Sequence, residues 1–352
     1  MAIRIIKAVI AILLMGWVIF QALHMEARQS TPDWESLSGS DQWDLAWSVG
    51  AQGILNRFQS VSTGFFLLSL GCVGVTILAG VFRWKAFLGN LGCATKFRDL
   101  FSVTMAGYFF NSFMLGATGG DVVKAYYTSR LNPERKEASV TAVFMDRLFG
   151  LVFMLCFAAL AIIPLARWIS QREELSQLGV KVLWLALGAV VLLILSYGLF
   201  TLMGRISLSL PEWVAERLHK IRQAIGVTLT SPRLLCQAVL WSLVINAFCI
   251  LQIQFLALGL GIEVEPVYLA FAVPVIITIS SIPLTPSGFG IRENLYVYLL
   301  ALAATPVGAG EALALSLLAY AGTFIWNLVG GIFFLFLKAE IPQAPDTSGP
   351  AA

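Results

Sequence analysis

The sequence predicts an all-α integral membrane protein with about six full transmembrane helices and two re-entrant helical hairpins in an inverted-repeat arrangement. Three observations carry this. The 352 residues are 58% hydrophobic and 12% charged, about half the charged fraction of roughly 25% found in soluble domains. Uncharged runs near or beyond the roughly 20 residues that span a bilayer core occupy 61–82, 100–120, 182–203, 234–262, 266–291 and 312–337. Two of these, 100–120 and 266–291, lead through Gly or Pro into charge. An uninterrupted lipid-facing helix does not tolerate that, because the freed backbone groups need protein or water as partners.

Each element follows in turn. Residues 5–23, after Arg4 and Lys7, exceed the 7–15-residue apolar core of a signal peptide, and no small-residue cleavage site follows, so an uncleaved first helix is expected. The loop 24–60 sets Glu26, Asp33, Glu35, Asp41 and Asp44 against Arg28 and Arg57. It is expected outside, with an interfacial helix and with Trp34, Trp43 and Trp47 at headgroup level. The helix 61–82 leads to a basic loop with Arg83, Lys85, Lys96 and Arg98.

The stretch 100–120 is followed by a second basic loop with Lys124, Arg130, Arg135 and Lys136. A full crossing would put this loop outside, together with the later one holding Arg205, Arg217, Lys220, Arg222 and Arg233, against the positive-inside rule. A re-entrant element at 100–127, turning around Asn111 to Gly120, keeps both inside. Then 138–165 runs outward, 182–203 inward, and 234–262 outward to Glu263 and Glu265. The run 266–291 is broken at Pro274, Pro283 and Pro286, and the helix 294–305 before Pro306 would rise only about 18 Å, short of the roughly 30 Å core. A second re-entrant element, 266–305, is expected from the outside, although two full crossings preserve the same sidedness. The helix 312–337 then brings the chain to Lys338.

The two breaks share a pattern: Ser112 to Gly119 and Ser281 to Gly288 both read S-x-x-L-x-x-[ST]-G. Broken helices of inverted repeats that meet near the midplane are an architecture transporters use for alternating access. Around the first break stand Asn111, Ser112, Gly119, Gly120, Asp121 and Lys124. Glycines permit close backbone approach. Asp121 suits a cap on the Val123 or Lys124 amide, and Asp121 or Lys124 suits a charged lipid headgroup, since a helix N-terminus is also an anion site.

Asp146 and Arg147 lie within an apolar run, where an isolated charge costs about 3 kcal/mol or more, so both should face the interior. Adjacent residues on a helix point in different directions. Arg147 is expected to meet Asp121, Glu293 or a ligand phosphate; the bland alternative is an ion pair that stitches two helices. At the second break, Thr285, Ser287 and Gly288 precede Arg292 and Glu293. A guanidinium there suits bidentate phosphate contact, while Glu293 would neutralise Arg292 or take up a proton. Asn246, Gln252, Gln254 and Asn327 read as interhelical hydrogen-bond partners.

The five scattered cysteines and the distant His24 and His219 give no disulfide framework and no metal site, and no cofactor is expected. The net charge of +3 resides in short loops and does not point to nucleic acid. There is no H-E-x-x-H, G-x-S-x-G or P-loop, so the chain reads as a protein that is not an enzyme.

Three motifs occur in order: Gly107-Tyr-Phe-Phe-Asn-Ser-Phe-Met-Leu-Gly-Ala-Thr-Gly-Gly-Asp-Val-Val-Lys124, Asp146-Arg147-Leu-Phe-Gly150 and Pro283-Leu-Thr-Pro-Ser-Gly-Phe-Gly-Ile-Arg-Glu293. Together they resemble the lysylphosphatidylglycerol synthase transmembrane region family, over about residues 5–337. The resemblance implies one polytopic flippase-like domain, 1–340, with 341–352 as a disordered tail. It implies a bacterial-type cytoplasmic inner membrane and movement of lipids between leaflets, while Arg4, Lys7 and the signs of the loops up to Lys338 put both termini in the cytoplasm. Fused members continue into a soluble aminoacyltransferase domain, which is not expected here. The motifs carry over onto Asn111, Gly119, Gly120, Asp121, Lys124, Asp146, Arg147, Pro283, Pro286, Gly288, Gly290, Arg292 and Glu293. Thr118 and Ser287 depart, since proline or glycine is expected there in many members.

The expected substrate-binding set is therefore Arg292, Glu293, Arg147, Asp146, Asp121, Lys124, Asn111, Ser112, Gly119, Gly120, Thr285, Ser287 and Gly288. The expected activity is transport of a phosphate-bearing or aminoacylated lipid: an anionic phospholipid, an aminoacyl lipid or a polyprenyl phosphate. A lipid-modifying enzyme and a second copy of the chain are further candidate partners. The alternatives are a membrane scaffold or accessory subunit of a lipid- or glycan-modifying pathway, acting through loops around Arg217, Lys220 and Arg222, and a membrane-embedded transferase with Asp121 or Asp146 as base.

Overall fold

The computed structural model describes residues 33–112, 119–203, 223–282, 287–288 and 290–337, with positions 20, 23, 24, 27, 28, 30, 31 and 221. Among these residues the chain is all helical, without a strand. After a short turn at Trp34–Ser36 come α1 (Gly39–Leu45), α2 (Ala51–Ser60), α3 (Thr63–Asn90), α4 (Phe97–Asn111), α5 (Gly119–Leu131) and α6 (Lys136–Ile169). They are followed by α7 (Glu173–Met203), α8 (Pro232–Leu260), α9 (Pro266–Ser280), α10 (Ile291–Ala301) and α11 (Ala309–Phe336).

Five helices, α3, α6, α7, α8 and α11, contain spans long and apolar enough to cross a membrane. These are the crossings expected at 61–82, 138–165, 182–203, 234–262 and 312–337. The expected first crossing, 5–23, lies largely outside the described residues. Leu68, Phe144, Ile163, Trp184 and Leu192 each point outward and are more than half exposed. Faces this apolar suit hydrocarbon rather than water as the solvent.

Two details correct the sequence reading. Helix α3 continues to Asn90, so Arg83 and Lys85 are helical rather than in a loop; the helix keeps Arg83 at depth because Asp146 compensates its charge. Trp34 is buried, edge-on to His24 at 4.9 Å, while Trp43 and Trp47 remain exposed.

The bundle is built from two copies of one unit. Helices α3 to α6 form the first and α8 to α11 the second. Ser62 and Ser231 are the N-caps of α3 and α8, Lys96 and Glu265 those of α4 and α9, and Ser112 and Ser281 the C-caps of α4 and α9. Gly92 and Gly261, with φ of 71° and 72°, make the left-handed turns beyond the long helices. Every one of these pairs is 169 positions apart, the spacing of the shared break pattern. Exchanging the units also preserves which helices touch: α3–α4 becomes α8–α9, α5–α6 becomes α10–α11, and α4–α11 becomes α9–α6.

The relation between the units is an inversion. The Ser62 amide donates to Gly259 O at 3.0 Å, Phe82 stacks on Trp241 at 4.9 Å, and Asn90 Nδ2 donates to Val227 O at 3.3 Å. The equivalent helices α3 and α8 therefore run antiparallel, and the axis that exchanges them is perpendicular to their length.

Helices α4/α5 and α9/α10 are hairpins that return to the end from which they start. Asn132 Nδ2 donates to Thr95 Oγ1 at 3.1 Å across the open end of the first, and Thr305 Oγ1 donates to Glu263 O at 2.6 Å across that of the second. These open ends lie at opposite ends of the α3/α8 pair. A 15-residue arm such as α4 or α9 rises about 22 Å, less than a bilayer core. Helix α11 packs so closely on α4 that a Cβ on Gly330 would stand 2.1 Å from Met105 O.

Candidate functional site

The closed ends of the two hairpins meet. Ser287, held at φ 52° beside Gly288 at φ 72°, donates its hydroxyl to Asn111 O and Ser112 O, both at 3.1 Å. Ser112 Oγ lies 2.7 Å from the Asn327 side-chain amide of α11. With its carbonyl turned to Ser112, that amide also donates to Tyr108 O at 3.1 Å and Thr323 O at 3.3 Å. At the end of α9, the Thr278 and Ser280 hydroxyls are buried with no partner among the described residues.

Beyond the first break, α5 is capped from across the gap. Gly120 N donates to Asn111 Oδ1 at 2.6 Å, so Asn111 takes the capping role expected of Asp121. The approach needs both glycines: a Cβ on Gly120 would lie 2.8 Å from Gly107 O, and one on Gly107 would lie 3.1 Å from Gly120 O. Asn111→Ala is expected to cost about 1 kcal/mol, as other lost caps do, and Asn111→Asp to retain most of it. Thermal unfolding of the two variants in detergent checks the order.

Asp121, freed from capping, faces Arg147 of α6 at 3.4 Å, both partly exposed. Lys124 Nζ stands over the Trp84 ring of α3, 5.1 Å from its centroid. Asp146 is buried and pairs with Arg83 Nε at 2.7 Å; Arg83 Nη1 also donates to Ser242 Oγ of α8 at 2.9 Å. Adjacent Asp146 and Arg147 thus serve different neighbours.

Beyond the second break, Arg292 pairs with Glu293, donates Nε to Ser316 Oγ at 3.3 Å, and lies over the Tyr320 ring at 4.5 Å. Glu293 Oε2 accepts the Gly290 amide at 2.7 Å and so also starts its own helix. Thr285, with Pro283, Pro286 and Thr118, lies outside the described residues. Among the interhelical candidates, Gln252 bonds Ala319 O and Asn327 contacts Ser112, while Asn246 bonds its own helix at Ser242 O.

The two charged sites correspond. Asp121 and Glu293 each lie in the first described turn of a hairpin's second arm, and Arg147 and Tyr320 are each the twelfth residue of the next helix. In one unit the guanidinium occupies that twelfth position; in the other it comes from Arg292 and rests on it. Each site therefore sets a carboxylate and a guanidinium at the start of a broken helix. Sequence reasoning missed Arg83, Ser316 and Tyr320. The 4-3-4 spacing of Ser316, Tyr320, Thr323 and Asn327 on α11 is the signal that would have found the last two, since it places them on one helical face.

Residues 42–331 match the family described as lysylphosphatidylglycerol synthase TM region. The chain belongs to that family. It is 21% identical over 327 residues to a UPF0104 membrane protein of Methanothermobacter thermautotrophicus, covering 82% of this chain and 89% of the relative. Two UPF0104 membrane proteins of Methanocaldococcus jannaschii are similar as well. One is 25% identical over 238 residues, covering 67% of this chain and 97% of the relative; the other is 24% identical over 274 residues, covering 74% and 81%. As a lysylphosphatidylglycerol synthase transmembrane region protein, the chain is a multi-pass membrane protein, and its apolar helices agree with that.

Proposed function

We propose that this protein moves a lipid with a phosphate-bearing or aminoacylated headgroup between the leaflets of a cytoplasmic membrane. Both hairpins are then re-entrant in one polytopic domain, the first from the cytoplasm and the second from outside. The observation that carries the reading is the meeting of two inverted hairpins at Ser287, Asn111 and Ser112, each followed by a carboxylate–guanidinium pair. In hydrocarbon, irregular backbone and charge are tolerated where they line a protected cavity, and inverted broken helices are a transporter's means of presenting one site to either face. The equivalent N-caps Lys96 and Glu265 support the orientation, since the basic residue belongs on the cytoplasmic side.

In this mechanism a headgroup exchanges with the internal ion pairs while the acyl chains stay in the bilayer. A phosphate takes Arg292 or Arg147, with Lys124 adding charge; an ammonium takes Glu293 or Asp121. Each exchange replaces one charge-assisted contact by another. The Thr278 and Ser280 hydroxyls, without a partner among the described residues, supply neutral hydrogen-bonding groups close by.

Purified protein in liposomes with labelled anionic, aminoacyl and polyprenyl lipids is expected to move at least one class faster than protein-free vesicles, and Arg292→Ala to abolish that movement. No movement of any class sinks the proposal. Movement untouched by Arg292→Ala, Arg147→Ala and Glu293→Gln alike points instead to an accessory role.

A further inference from the structure

The inverted units carry unequal charge. In the first, Asp121 and Arg147 stand 3.4 Å apart with side chains 27% and 29% exposed. Lys124, three residues after Asp121 and so on the same face of α5, holds its ammonium 5.1 Å from the centroid of the buried Trp84 ring. Among the described residues it pairs with no carboxylate, and the aromatic face steadies its charge instead. Behind them the Arg83–Asp146 pair, 2.7 Å apart, lies in Coulomb range of Asp121. Three cations here face two carboxylates, an excess of one positive charge.

The matching positions of the second unit are neutral. Arg83 and Gln252 are each the twenty-first residue of α3 and α8, and Asp146 and Ala319 are each the eleventh of α6 and α11. Arg147 is matched by Tyr320, and where Lys124 follows Asp121 by three residues, Tyr296 follows Glu293. The charges that remain, Arg292 and Glu293, are spent on each other at 14% and 2% exposure. Glu293 Oε1 also accepts the Ser316 hydroxyl at 3.4 Å, while Oε2 holds the Gly290 amide at 2.7 Å.

We propose that, in this conformation, the headgroup site is the cluster of Lys124, Arg147 and Asp121, and that it takes a phosphate group of net negative charge rather than an aminoacyl ammonium. The inference rests on the transporter reading and narrows its substrate class. A phosphate meets Lys124 without breaking an ion pair, and then competes with Asp121 for Arg147, a planar donor suited to it. Water already reaches both groups of that pair. At the second unit the same phosphate would have to part a buried pair and leave Glu293 charged beside it, which is costly. An ammonium fares poorly at both: at Asp121 it meets the repulsion of Arg147 and Lys124, and at Glu293 it must evict Arg292.

Binding of dioctanoyl lipids to the purified full chain in detergent, measured by microscale thermophoresis, tests the assignment. Phosphatidic acid and phosphatidylglycerol are expected to bind about fivefold or more tighter than zwitterionic phosphatidylcholine or cationic trimethylammonium-propane, with the gap shrinking as salt is added. Lys124→Gln is expected to weaken anionic binding about fivefold or more, and Asp121→Asn to tighten it about threefold, because Arg147 then needs no release. Lys136→Gln, exposed in the first turn of α6, should leave it unchanged. Cationic lipid that binds as tightly as the anionic pair overturns the proposal, as does anionic binding that Lys124→Gln leaves alone or Asp121→Asn fails to tighten. Should Lys124→Gln not fold, the sign of the Asp121→Asn effect decides. Inorganic phosphate that displaces the lipid supports a site that reads the phosphate alone; lipid binding indifferent to it supports one that also reads the glycerol. No lipid need cross a membrane here. The expected binding pattern without movement in liposomes overturns the function proposed above and leaves the anion site standing, while movement of aminoacyl lipid in preference to anionic lipid does the reverse.

Discussion

Arg292→Ala is expected to destabilise the folded protein by about 3–5 kcal/mol, the usual result of removing one partner of a buried ion pair. Glu293 is only 2% exposed and would keep a charge with no cation beside it. The Tyr320 face would lose its guanidinium as well, adding roughly 0.5–2 kcal/mol. Arg292→Lys keeps the charge but not the planar fork, so an intermediate loss is expected. Arg292→Met with Glu293→Gln should recover most of the stability, since a neutral pair of similar volume removes the uncompensated charge. Thermal unfolding in detergent gives the order, and lipid movement in liposomes separates the roles: the double variant should be stable and inactive. A double variant that still moves lipid would make this pair structural.

Gly330→Ala is expected to be the most damaging change of a single methyl group. Its Cβ would lie 2.1 Å from Met105 O and 3.0 Å from Met105 C, both backbone atoms of α4, so the two helices must part. Overpacking costs about 1–3 kcal/mol, and a clash with backbone belongs at or above the top of that range. Gly331→Ala meets the Phe109 ring first, at 3.0 Å, and that ring can turn aside, while Gly71→Ala meets nothing within 4 Å. The expected order of melting temperatures is therefore Gly71→Ala, Gly331→Ala, Gly330→Ala, from highest to lowest. Because α11 holds the first hairpin through Asn327 and Ser112, Gly330→Ala should also reduce lipid movement. A Gly330→Ala protein that melts with Gly71→Ala would show that the contact relaxes freely.

The spans were legible because hydrocarbon imposes a length and a composition on anything that crosses it. The two breaks were legible because Pro, Gly and charge are exceptional there. Arg83 was not, since a cation at the end of an apolar run reads as a loop until its partner, 63 positions later, is known to lie beside it. Asn111 was read near the site but not as a cap, because it serves a helix that starts across the gap. Trp34 was placed at headgroup level because interfacial tryptophans are common, and nothing local marks its burial against His24.

The duplication was visible only as one short pattern. Lipid-facing positions require no more than apolar character, so their identities drift freely. Cap serines and left-handed glycines persist at the 169-residue spacing because backbone geometry constrains them. The candidate charges were legible from their depth, but their pairing was not. Which acid meets which guanidinium depends on how the units cross, and adjacent residues such as Asp146 and Arg147 serve different helices.

Helix α7 has a consequence that is one of parity. Each unit contributes two long helices and one hairpin that turns back, so joining the units directly would leave the second pointing the same way as the first. Gly179 of α7 lies against Ile169 and Ile162 of α6, so α7 runs antiparallel to α6 and carries the chain back across before α8 begins. It touches the rest of the bundle chiefly through α6. Its position rather than its contacts makes it indispensable: a chain lacking this odd extra pass would assemble its halves as two like hands, and they could no longer clasp.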